Sequence, residues 1–80
     1  MEKYILQKGD IADIHTDNYE MFAFGLIYRG KTKKGEYKFQ SPTYGWYYFI
    51  SNDKKEFWHE NSPEKRWILD ANSATYNALP

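Results

Sequence analysis

Along most of this chain apolar and polar positions alternate with a period of two, the repeat of a half-buried strand. The clearest stretch is 21–29, where Phe22, Phe24, Leu26 and Tyr28 fall on one face and Ala23, Gly25 and Ile27 on the other. Gly25, with no side chain, marks a bulge or a close approach of another backbone. Gly30 to Gly35, holding Lys31, Lys33 and Lys34, reads as a polar hairpin loop. Glu36 to Gln40 then returns with Tyr37 and Phe39 inward and Lys38 and Gln40 outward.

The other segments follow the same reasoning. Tyr4-Ile5-Leu6, between Lys3 and Lys8, predicts a short first strand, and Gly9-Asp10 a turn. At 11–15 two readings compete. Ile11 and Ile14 are spaced for a helix that Asp10 could cap, but the β-branched content and the polar Thr16-Asp17-Asn18 favour a strand, which is the expectation. Ser41-Pro42-Thr43 breaks the pattern. Tyr44 to Ser51 is almost wholly apolar, as in a central strand covered on both faces or a strand with one face open to a partner. Parity places Tyr44, Trp46, Tyr48 and Ile50 on one side and Tyr47 and Phe49 on the other. Asn52 to Lys55 is a turn, Glu56 to His59 a returning strand, and Asn61-Ser62-Pro63 another turn. Lys65 to Leu69 closes the series, with Trp67 and Leu69 opposite Arg66 and Ile68. Residues 71–80 are expected to form a short helical turn or a frayed tail.

Five or six short strands at spacings of about ten residues predict a mainly β fold. The expected form is a small antiparallel meander, either a curled sheet or a half-closed barrel of SH3 or OB size, in one domain spanning 1–80.

Composition sharpens this picture. The 80 residues include six Ile and four Leu but no Val, against eight Tyr, five Phe and three Trp. Each ring buries about 150–250 Å², so rings replace the missing aliphatics in the core. A chain of this length hides only about 60% of its unfolded surface. Some rings must therefore meet solvent. Tyr44, Trp46, Tyr47 and Trp58 are the candidates, because Tyr and Trp bury large area at small entropic cost when a partner docks.

Charge is balanced overall but uneven along the chain. Residues 1–28 carry a net −3, residues 29–55 a net +5 and residues 56–80 a net −2. Acidic and basic segments can pair across one fold, or the middle third can form a basic face built from Lys31, Lys33, Lys34, Lys54 and Lys55. Zero net charge argues against a polycationic or an acid-mimic role. No cysteine is present, which excludes a disulfide scaffold and a thiol nucleophile. No apolar run approaches the ~20 residues of a membrane span, and no leader pattern opens the chain, so the expected location is cytoplasmic.

Catalytic patterns are not found. The four serines lie in turns or strand ends, none in a nucleophile-elbow context. Gly30 to Gly35 has Gly, Lys and Thr in the wrong order for a phosphate-cradling loop. His15 with Asp17, and His59 with Glu60, are potential metal ligands without a ligand motif. Asp10, Asp13, Asp17 and Glu20 read as a solvated acidic edge. The expectation is a non-enzymatic binding protein without cofactor or metal. Its partner is a protein, which it serves as an adaptor subunit or blocks as a stoichiometric inhibitor, in the manner of small viral proteins acting on host or defence targets. The alternative is nucleic acid, with bases stacked on the rings and lysines on phosphates. Carbohydrate stacking and pairing of two copies through an edge strand remain compatible with the same features.

Overall fold

In the computed structural model residues 4–80 are described. Six antiparallel strands run in chain order through one sheet: β1 (Ile11–His15), β2 (Phe22–Lys31), β3 (Tyr37–Gln40), β4 (Tyr47–Ile50), β5 (Glu56–His59) and β6 (Trp67–Ile68). Each pairs only with its sequence neighbours, the meander that the turn signals predict. The sheet curls into a half-barrel. At one corner Thr16 bridges Leu69, and the Asp70 amide donates to the His15 carbonyl at 3.3 Å, so the first and last strands meet there. A short helix, α1 (Ala74–Ala78), packs against β1.

The concave face holds the core. Ala12, Ile14, Ala23, Leu26, Tyr28, Tyr37, Phe39, Tyr48, Ile50, Phe57, Trp67 and Leu69 point into it, with Leu6 and Leu79 added from the two chain ends. Tyr37, Phe39 and Phe57 are essentially out of solvent. The core is thus largely aromatic, with rings in tilted or stacked contact such as Tyr48 on Phe57 at 5.3 Å.

Three expectations need correction. Tyr4 to Leu6 is not a strand. Its Leu6 amide donates to the Ala78 carbonyl at 2.7 Å, and the Tyr4 hydroxyl donates to the Asp10 carboxylate, so the segment is tied to the helix and the first turn rather than to the sheet. Lys3 lies outside the described residues. The long strand does not keep one parity. Gly25 adopts φ +68, the register with β1 slips there, and Phe22 and Phe24 turn outward while Leu26 and Tyr28 stay inside. The strand expected from Tyr44 begins only at Tyr47, because Ser41 to Trp46 closes into a turn with Gly45 at φ +81.

The C-terminal segment is docked. Ser73 caps α1 by accepting from the Tyr76 amide, and Leu79 is buried. The Tyr37 hydroxyl donates to the Pro80 carbonyl at 2.6 Å and the Lys54 ammonium to the Leu79 carbonyl at 3.3 Å. Among the described residues no helix is long and apolar enough to cross a membrane.

Candidate functional site

Two surfaces stand apart on this frame, and they lie toward opposite ends of the central strands. The first is aromatic. β3 stops pairing with β2 at Ile27, opposite Gln40, so the first half of β2 has a strand partner only in β1. The β3–β4 turn faces that half across a cleft of about 290 Å³. Phe22 and Phe24 stand on one wall, their rings 5.6 Å apart. Tyr44 and Trp46 stand on the other, stacked at 4.4 Å. Ala23, Leu26 and Tyr48 belong to the core and also line the cleft, with Ser41 and Thr43 supplying hydroxyls. Phe24 is 72% and Tyr44 69% exposed, values far above those of a core ring.

The aromatic surface continues past Phe22. Tyr19, also exposed, lies 6.1 Å from Phe22 and stacks on His15 at 4.6 Å. His15 holds its Nδ1 3.3 Å from the Asp70 carboxylate, too poorly aligned to form a hydrogen bond. On the far wall His59 meets Trp46 edge-on at 4.8 Å, and its Nδ1 accepts from the Asn61 amide. Both histidines are thereby engaged in ring packing. Among the described residues no three metal-ligating side chains converge. The Trp46 indole Nε1 is shielded from solvent and finds no acceptor among the described residues. Such an orphan donor is uncommon and costly in a native fold.

The second surface is basic. The β2–β3 loop, with Lys33 and Lys34 exposed and Lys31 at its edge, lies beside the β4–β5 loop, with Lys55 exposed. A Cβ on Gly35 would come 3.6 Å from the Asn52 Cβ, which fixes the two loops as neighbours. Lys54 is partly withdrawn by its bond to the Leu79 carbonyl, and the Lys31 ammonium sits over the Tyr37 ring at 5.0 Å. Asp53 lies among these lysines. Hydrogen bonds from the Ser51 hydroxyl and the Lys55 amide hold its carboxyl below the usual range, so it stays charged and partly offsets them.

The nine residues expected at a partner site therefore separate. Tyr44 and Trp46 line the cleft. The five lysines lie toward the other end of the sheet, about four residues of strand away, or roughly 13 Å at the usual rise. Tyr47 is on the convex face beneath the Lys38 ammonium, 4.2 Å from its ring. Trp58 departs from the expected exposure: it is 5% exposed, with Phe49 stacked at 5.8 Å and the Arg66 guanidinium 3.6 Å above the ring. The rings that sequence reasoning missed are Tyr19, Phe22 and Phe24. The signal for two of them was present in Gly25, whose bulge reverses their direction.

Compared with known proteins, this curled six-stranded chain matches no family model, no curated protein and no solved structure.

Proposed function

We propose that this chain is a small non-enzymatic binding protein whose aromatic cleft engages a protein partner, as an adaptor subunit or a stoichiometric inhibitor. One observation carries the reading. Phe24 and Tyr44, among the most exposed large side chains, frame a single cleft with Phe22 and Trp46 instead of being scattered. Singly exposed rings need no explanation, but rings converging on a concave surface are the anatomy of a contact site. The exposed Thr43 adds a polar group to the lining, as at the edge of such an interface.

Capture with the full chain from its native host tests the reading. One protein recovered at near-equal amount, insensitive to nuclease and lost with Tyr44→Ala or Phe24→Ala, supports it. Recovery unchanged in both variants overturns it.

The adjacency of the lysine loops favours a second reading, nucleic acid held at the basic end. It departs from stacking on Tyr44 and Trp46, since those rings lie at the other end of the strands. A steep fall of affinity with salt supports it, and a flat response removes it.

A further inference from the structure

The cleft is also a gap in the sheet. Antiparallel pairs alternate between those that exchange both hydrogen bonds and those that exchange none. The Thr16 amide bonds the Met21 carbonyl, so the pair at Thr16 is of the bonded kind. His15 opposite Phe22 is then of the unbonded kind, and Ile14 opposite Ala23 is bonded again. The backbone N–H and C=O of Phe22 consequently point away from β1, and by alternation so do those of Phe24. Beyond the bulge the order holds in shifted phase. The Tyr28 amide reaches the Asp10 carbonyl on the β1 side, while Ile27 faces β3 and pairs with Gln40. No β3 residue pairs with Phe22 or Phe24. Their free ladder edge opens on the aromatic cleft.

We propose that this edge receives an extended segment of the partner protein, which adds as a short strand beside Phe22–Leu26. The inference rests on the protein-binding reading above and names its mode. Main-chain bonds to Phe22 and Phe24 supply register, and alternate side chains enter the two faces of the gap. Those on the concave side meet Ala23, Leu26 and Tyr48. Trp46 also packs on the core side, and side chains on the convex side lie against the Phe22–Phe24 ring pair. Trp46, whose shielded Nε1 has no acceptor among the described residues, lines the opposite wall, and a carbonyl of the incoming chain is the acceptor it lacks. A helix bonds its backbone N–H and C=O groups within itself and offers no ladder groups to this edge.

Charge fixes the kind of segment. Asp17 and Glu20 precede Phe22, and the Glu60 carboxylate accepts at 2.8 Å from the amide of Tyr47, the residue after Trp46. No lysine or arginine lies in the β3–β4 turn. The incoming strand is therefore apolar at its centre and carries Lys or Arg at its ends.

Selection from a displayed library of random heptapeptides on the full chain tests this. The expected winners are proline-free, alternating and basic at their ends. A winning peptide slows amide exchange at Phe22 and Phe24 and shifts the Trp46 indole N–H signal, leaving those of Trp58 and Trp67 in place. Methylating alternate backbone nitrogens on the ladder edge of that peptide weakens it by about tenfold or more. Proline-rich winners, no enrichment above background, or exchange unaltered at Phe22 and Phe24 overturns strand addition. If capture of the host partner still depends on Tyr44, the binding surface stands and only its mode falls. Protection of both amides in the free protein at high concentration, with a dimer in sedimentation, assigns the edge to a second copy and likewise overturns the proposal.

Discussion

Thr16, just past the first strand, bridges Leu69, just past the last, and among the described residues this is the one bridge that joins the two edges of the curled sheet. Thr16 is 1% exposed, and its hydroxyl both accepts from the Met21 amide at 2.8 Å and donates to the Met21 carbonyl at 3.1 Å. Thr16→Val keeps the shape and removes both side-chain bonds, leaving the Met21 N–H without its acceptor while the Met21 carbonyl keeps the Thr16 amide. A loss of about 1–3 kcal/mol in urea unfolding is expected, with Thr16→Ser retaining most of the stability. Equal stability of the valine variant would show that the bridge does not depend on this hydroxyl.

The last residues are part of the core. Leu79 is 1% exposed, its own carbonyl accepts from the Lys54 ammonium, and the Pro80 carbonyl accepts from the Tyr37 hydroxyl. Leu79→Ala should cost about 2–5 kcal/mol, a large share of the total for a domain of this size. Truncating or substituting a frayed end would cost almost nothing, so thermal melts of the two chains separate the cases.

Tyr44 and Trp58 should behave as opposites. Tyr44→Ala at an exposed ring changes folding stability by about 0.5 kcal/mol or less, yet should cost about 1–4 kcal/mol of partner affinity. Trp58→Ala removes a ring packed between Phe49 and Arg66 and should cost about 3–5 kcal/mol of stability. Paired unfolding and binding titrations check both. Equal destabilisation by the two variants would place Tyr44 in the core and remove the basis for a contact surface.

These residues also show what a period-two reading can resolve. The hairpin of β2 and β3, the inward pair Tyr37 and Phe39, and the sharing of one face by Tyr48 with Ile50 and by Arg66 with Ile68 follow from alternation alone, though not which of those faces is inward. Phe22 and Phe24 do not, because one bulge at Gly25 reverses every side chain before it. Trp58 was legible as a strand residue but not as a covered one, since its lid is Arg66 from just before β6, a contact that spacing does not reveal. The site divides for a similar reason. Aromatic and basic residues lie close together in sequence, but in a meander successive turns fall at alternating ends.

Acid should weaken the fold partly through Asp53. Its carboxyl is held below the ordinary range first by the Ser51 hydroxyl, at 2.6 Å, and then by the Lys55 amide. A folded value below the unfolded one, about 3.9, means a contribution fully present above that pH and lost as pH falls through the folded value. Asp10 has the same sign through the Tyr4 hydroxyl and the Gln7 amide. Asp53→Asn, and further Asp10→Asn, should flatten the fall of the urea midpoint between about pH 5 and pH 2. Both groups are exposed, so the effect is modest. Slopes identical to that of the parent chain would show that neither carboxylate is linked to folding.

Gly25 decides which rings turn outward to the cleft. Its φ of +68 lies in the left-handed region, and a Cβ there would meet nothing within 4 Å. Backbone conformation, not space, is the constraint, and Gly25→Ala should cost about 1–2 kcal/mol, with Gly25→Asn costing less. The Asp13 carboxylate accepts from the Gly25 amide at 2.8 Å, so Asp13→Ala should weaken the same bulge by about 1 kcal/mol. Because the bulge turns Phe22 and Phe24 outward, loosening it should lower partner affinity in folded protein as well as stability. Urea unfolding with a binding titration well below the melting temperature distinguishes the two effects. A Gly25→Ala variant as stable and as tightly bound as the parent would mean that strain at this glycine neither holds the bulge nor aims the rings.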